Sequence, residues 1–262
     1  MTAKEVLALM KQNLGSPWNE STYRDVFHAG NPDIEVKGIA TTFMATLDLI
    51  QRAHAAGLNM VISHETTFWS DRDDTKDLTA DAVYQFKTDY CLKNNMVVLR
   101  FHDHAHSHQP DFITMGVVRT LGWTPSQGPG PRTYTFPKTT LGEVAADLKK
   151  RMGTRAFRVV GDPKATVSTA SVAFGYGMGR FAPGVELVMG GEQPEADSAL
   201  DLSSYVRDAA YFGMNKSQII LGHNISEEPG MEDAANWLRT FVKDVPVQFV
   251  RSGEPYWSPR NG

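Results

Sequence analysis

Apolar runs that stop at a histidine occur three times in this chain, and the segments between them alternate between helical and strand-like patterns almost from end to end. Such alternation restricts the chain to the α/β class. Residues 46–56, TLDLIQRAHAA, carry helical periodicity. Gly57 stops the helix, and LNMVIS, Leu58 to Ser63, is a short apolar strand ending immediately before His64. The layout then repeats. A helix from about Thr79 to Lys93 closes on Asn94 and Asn95, and MVVLRF, Met96 to Phe101, is a strand ending immediately before His102. SQIILGH, Ser217 to His223, makes the third junction. Parallel α/β sheets place ligand crevices at the carboxyl ends of such strands, so these histidines are expected to line one.

The Pro- and Gly-rich stretch Gly122 to Pro137 marks the lobe boundary. It gives an N-terminal lobe of residues 1–125 and a second lobe of residues 126–262, with the C-terminal helix and strand returning to the first. Thr140 with Glu143 reads as a capping box, ahead of a helix whose apolar face is Leu141, Val144, Ala145, Leu148 and Met152. RAFRVVGD, VSTASVAFGYGMG and VELVMGGE read as strands, the second running into a glycine-rich turn and the third leading through Gly190 and Gly191 to Glu192. A helix is expected over about Asp201 to Phe212. In the last helix Pro229 suits the first turn, and VPVQFV closes the pattern as a strand.

With 26 basic and 30 acidic residues, and no basic cluster beyond Lys149, Lys150 and Arg151, the chain lacks the footprint that a phosphate backbone requires. The opening MTAKEVLALMKQNL is an amphipathic helix rather than a leader, and no apolar run reaches membrane-spanning length, so a cytoplasmic protein without membrane or nucleic-acid partners is expected. The single Cys91 cannot pair internally and sits in the helical phrase TDYCLK as a small hydrophobe. GYGMG has the wrong spacing for a dinucleotide loop, and neither a P-loop nor a GxSxG elbow occurs.

Chemistry therefore falls to VVLRFHDHAHSHQPD, Val97 to Asp111, which holds four of the eight histidines. Alone it reads equally well as a metal-binding tract or as a solvated loop. His64 and Glu65 after one strand, and His223 with Glu227 four residues on, shift the balance toward metal. A helical i, i+4 pair aims both side chains at one point, and histidine with carboxylate is a donor set for zinc, manganese or iron. Each taken singly has a plainer reading: His64 as a core histidine bonded to a carbonyl, Glu227 as an acid at a helix start. If the segment after Phe101 is extended, His102, His104 and His106 share one side and Asp103 takes the other. His54 reads as a mid-helix residue, His28 as part of a loop-like run, and His108 as solvent-facing. Phe68 and Trp69 read either as core or as an apolar wall for a planar ligand.

The run IILGHNISEEPGMEDAANWLRTFV, preceded by VMGGE and the AFGYG turn, resembles the second half of the NIF-three-like dinuclear-metal-centre hexameric family, also called GTP cyclohydrolase I type 2 homologues. HAAGLNMVISHE and NNMVVLRFHDHAH resemble its first half, so the likeness covers most of residues 36–250. Where the family carries His-His this chain has His64-Glu65, and where its second motif ends in Asp this chain has His106. Carried over residue by residue, the ligands implied are His64, Glu65, His106, His223 and Glu227, with His102 beside them. One His-to-carboxylate exchange offsets one carboxylate-to-His exchange, which preserves ligand count and charge. Asp103 or His104 is then left to orient a ligand or to move protons.

The resemblance implies two similar α/β lobes with mixed sheets facing each other across a dinuclear metal site, two divalent ions (Zn, Mn or Fe), and a hexamer. It also implies a hydrolase that uses a metal-bridging water on a small cyclic or planar substrate. The rival expectation is a non-enzymatic metal-binding or regulatory protein of the same fold. An amidohydrolase-type barrel would need a longer chain of eight unbroken strand-helix repeats.

Overall fold

The computed structural model describes residues 1–125, 132–195 and 200–257. The first elements in chain order are α1 (Ala3–Asn13), β1 (Phe27–Ala29), β2 (Ile39–Thr42), α2 (Leu47–Ala55), β3 (Met60–Ser63), α3 (Ala82–Lys93), β4 (Val97–Arg100), α4 (Asp103–Ser107) and α5 (Phe112–Leu121). There follow β5 (Thr124–Pro125), β6 (Thr133–Thr140), α6 (Leu141–Met152), β7 (Arg158–Val160), β8 (Thr166–Tyr176), β9 (Leu187–Glu192), α7 (Leu200–Tyr211), β10 (Ser217–Ile220), α8 (His223–Phe241) and β11 (Val247–Phe249). They sort into two compact α/β units, Met1–Ile113 with Gly230–Ser252 and Thr114–Pro229 with Gly253–Gly262. The chain thus re-enters its first unit near the end. Of the expected boundary Gly122 to Pro137, residues 126–131 lie outside the described residues.

The first unit holds a five-stranded mixed sheet in the order β1-β4-β3-β2-β11, parallel from β4 to β11, with β1 antiparallel at the edge. Its inner strands are buried throughout and largely apolar because both faces are covered. Met60, Ile62, Val97 and Leu99 enter one apolar cluster, while Val61 and Val98, pointing the other way, enter a second. Thr46 caps α2 and Gly57 follows it at φ +76°, as the sequence indicates. Helix α3 starts later than the apolar pattern suggests, because the Asp81 carboxylate accepts the Tyr84 N–H and fixes the first turn there.

The second unit holds a six-stranded sheet in the order β5-β6-β8-β9-β10-β7, parallel only among β8, β9 and β10. Leu187, Met189, Ile219 and Leu221 face one apolar cluster, Val188 and Ile220 another. The Thr140–Glu143 capping box forms as read from the sequence. Helix α8 does not: it begins at His223, so Pro229 lies inside it rather than in its first turn. The Ser226 N–H already donates to Gly222 O at 3.1 Å, which starts the helix before the proline is reached. Among the described residues no helix is long and apolar enough to cross a membrane.

Candidate metal centre

On the parallel pair β3–β4, Ser63 lies opposite Arg100, so His64 and His102 leave the sheet at the same edge. Beyond Phe101 the chain does not stay extended. It coils into α4, and the alternation expected for His102, His104 and His106 gives way to helical spacing, with the His106 N–H donating to His102 O at 3.3 Å. The cause is Asp25. Its buried carboxylate accepts the backbone N–H groups of His102, Asp103 and His104, satisfying the donors that a helix start leaves open.

One helical turn then brings His102 and His106 together against His64. The three residues offer nitrogens that all lie within 4.8 Å of one another. Ring centroids are 4.5 Å apart for His64–His102, 5.0 Å for His64–His106 and 5.1 Å for His102–His106. Each Nδ1 faces an oxygen that can only accept: Phe101 O at 3.2 Å from His64, Asp103 Oδ1 at 2.9 Å from His102, and Asp111 Oδ2 at 3.4 Å from His106. That places the proton on Nδ1 and the lone pair on Nε2, the arrangement of a histidine prepared for a metal. Burial, reinforced by the neighbouring His64, pushes the His102 pKa down to about 3, so its ring stays neutral as a ligand must. Three such imidazoles are a fitting donor set for a borderline divalent ion.

Glu65 stands beside this group, Oε1 being 3.6 Å from His102 Nε2. Its other oxygen accepts from Arg100 Nη2 at 2.7 Å. The charge of Glu65 is therefore met by a buried guanidinium. Of the expected proton movers, Asp103 holds His102 and also accepts from Thr22 Oγ1 at 2.6 Å and Arg24 Nη1 at 3.3 Å. Burial opposes ionisation of Asp103, but the bonds from Thr22 and His102 outweigh it and hold the pKa below the ordinary value.

His104 is placed differently from the expectation of a catalytic residue. It is buried and stacked on Trp18 with centroids 3.6 Å apart. Its Nε2 accepts the Asn19 N–H at 2.8 Å and its Nδ1 bonds Asp25, so both ring nitrogens are committed to the fold. His108 is not simply solvent-facing but stacks on Phe112 at 3.8 Å. His28 lies in β1 rather than a loop, 3.4 Å from Asp73 Oδ2, and His54 bonds Tyr90. Phe68 packs into the core against Tyr84, whereas Trp69 is 71% exposed. Cys91 is buried, and its thiol is pushed up to about 11.

In the second unit, β9 and β10 run parallel with Gly190 opposite Ile220, which carries Glu192 and His223 past the same sheet edge. His223 and Glu227 form the expected i, i+4 pair, with Nε2 and Oε2 3.0 Å apart, and Nδ1 faces Glu192 Oε1 at 3.2 Å. Glu227 is buried here because glycines make room. At Gly175, φ +67°, a Cβ would sit 2.0 Å from Glu227 Oε1, and at Gly191 one would sit 2.5 Å from Ser226 Oγ. The glycine-bearing ends of β8 and β9 are thus the packing surface for Ser226 and Glu227.

The family model described as Duf34/NIF3 (NGG1p interacting factor 3) matches residues 1–255. The chain belongs to the Duf34/NIF3 family. Among solved structures it is similar to protein ybgI, of unknown function, at TM-score 0.72 and 20% identity over 98% of this chain and 100% of that one. A Bacillus cereus protein related to NIF3 is similar at TM-score 0.71 and 13% identity over 99% of each chain. Staphylococcus aureus hypothetical protein SA1388 reaches 0.69 and 15%, again over 99% of each. At these identities the likeness speaks to the fold. Comparison with curated proteins found no match.

Sequence reading of this Duf34/NIF3 chain missed Asp25, Arg100, Asp111 and Glu192 as parts of the site. Only Arg100 carried a signal, a charge inside the apolar run MVVLRF that burial obliges to pair.

Proposed function

We propose that this Duf34/NIF3 protein is a metal-dependent hydrolase. His64, His102 and His106 bind a divalent ion, with Glu65 as a further donor. His223 and Glu227 are a second ligand pair, and two ions per chain are the proposed complement. The observation that carries the reading is the set of three clustered imidazoles, each with Nδ1 turned to an oxygen acceptor. The ion supplies Lewis acidity toward water and toward the polarised bond of the substrate. Asp103 and Asp111 keep His102 and His106 in the binding tautomer, and Asp25 keeps their helical spacing. A small planar or cyclic substrate is favoured by Trp69, an exposed aromatic four residues beyond Glu65.

Metal analysis of purified protein, joined to hydrolysis assays on cyclic amides, lactones and nucleotides, tests the reading. Fewer than about one metal per chain, or unchanged metal content in the His64→Ala/His106→Ala variant, refutes it. A metal-binding protein without turnover is the second reading, favoured by the commitment of both His104 nitrogens to the fold. Full metal content with no hydrolysis across the panel selects it.

A further inference from the structure

Arg100 is a fully buried arginine at the end of a strand whose other residues are apolar. A buried guanidinium is tolerated only when its donors are met, and all three of its nitrogens turn to the loop that follows β3. Nε donates to His64 O at 3.2 Å and Nη1 to Asp71 O, while Nη2 reaches Asp71 Oδ1 at 3.0 Å and Glu65 Oε2 at 2.7 Å. One side chain therefore grips the carbonyl of one candidate ligand and the carboxylate of the next.

We infer that Arg100 is a positioning residue for Glu65, occupying Oε2 so that Oε1 alone is offered to the metal held by the histidines. The inference rests on the metal-binding reading above. Donors on one tetrahedral ion, each about 2.0–2.2 Å from it, stand about 3.4 Å apart, and Glu65 Oε1 lies 3.6 Å from His102 Nε2. The bond from Arg100 draws Oε2 toward the guanidinium and so favours one-point binding of the ion through Oε1. The pairing also accounts for a carboxylate at position 65 in place of the second histidine of the resembling pattern, since a neutral imidazole would remove the shorter of the two ion pairs of the buried guanidinium and leave it the half-exposed Asp71. Lysine cannot do the same, having no planar fork to span His64 O, Asp71 and Glu65 at once.

The test is cobalt(II) titration of the full chain, followed by calorimetry and by visible absorption, for wild type, Arg100→Lys, Glu65→Gln and the double variant. Each single variant is expected to lose affinity about 10–100-fold. Their cobalt spectra should resemble each other and differ from wild type, and the double variant should bind no more weakly than Glu65→Gln alone. A wild-type spectrum and affinity in Arg100→Lys overturns the inference. So does a double variant whose loss is the product of the two single losses, because Arg100 would then be only a loop anchor. Should Arg100→Lys fail to fold, Glu65→Asp retains the arginine but cannot reach both it and the ion; it must reproduce the Glu65→Gln spectrum, and a wild-type spectrum counts against the inference. Wild type that binds no cobalt refutes the metal-binding reading too, whereas wild type that binds normally beside an unaltered Glu65→Gln refutes only the role of Arg100.

Discussion

Asp25→Asn removes one charge and almost no volume, yet it should be among the most damaging substitutions in the first unit. The Asp25 carboxylate is acceptor to four donors: Oδ1 takes the His102 and Asp103 N–H groups, and Oδ2 takes the His104 N–H and the His104 ring. An amide turns one of those oxygens into a donor, so two of the four protein donors face an N–H in a site closed to water. Escape by tautomer exchange is blocked. If the His104 proton moves to Nε2, it meets the Asn19 N–H, which now donates to that nitrogen at 2.8 Å, and the stack on Trp18 prevents the ring from turning away. Each charge-assisted bond is worth about 1.5–3 kcal/mol and each stranded donor costs about 1–3 kcal/mol, with strong overlap between them, so the loss should be about 3–5 kcal/mol. For a urea slope of about 2–3 kcal/mol/M, the midpoint falls by about 1–2.5 M. Denaturation followed by circular dichroism reads this directly. A loss under about 1 kcal/mol would refute the claim that Asp25 and His104 are the tie that makes α4 helical.

Gly175→Ala places a methyl 2.0 Å from Glu227 Oε1 at a backbone φ of +67°. It should cost about 2 kcal/mol or more and separate Glu227 from His223, read as a lowered melting temperature together with altered His223 ring shifts in nitrogen NMR. Wild-type values for both would contradict the close approach. Lys87 supplies a pH dependence: burial lowers its pKa to about 8 from 10.5. Below pH 8 folded and unfolded chains both carry its proton and the destabilisation is complete. Between pH 8 and 10.5 the unfolded chain binds more protons, so stability rises with pH, by up to about 3 kcal/mol. The raised Cys91 thiol works in the opposite sense above about pH 9, so the readout is the stability of wild type minus that of Lys87→Met: this difference should rise across the window, and a difference independent of pH would exclude a depressed pKa.

The elements legible in the sequence are those whose causes are local. Alternate residues of VVL and MVI meet two different apolar clusters, so both runs had to be apolar throughout, and Thr140 with Glu143 states its own capping box. The His223–Glu227 pair was equally visible, being one helical turn apart. Nothing local, however, distinguishes an extended HDHAHSH from a helical one. That outcome depends on Asp25, far back in the chain, arriving at the three N–H groups after Phe101. The same holds for Arg100 with Glu65, and for the oxygen that sets the His64 tautomer, Phe101 O, 37 residues away; His102 and His106 find theirs nearby, on Asp103 and Asp111, but only once α4 has formed. Residue types that can bind a metal are written in the sequence because they are properties of single side chains. Which nitrogen carries the proton, which histidine is spent on the fold and which carboxylate is held by a buried cation were decided by the tertiary structure, since burial and hydrogen-bond partners come into existence only when distant segments meet.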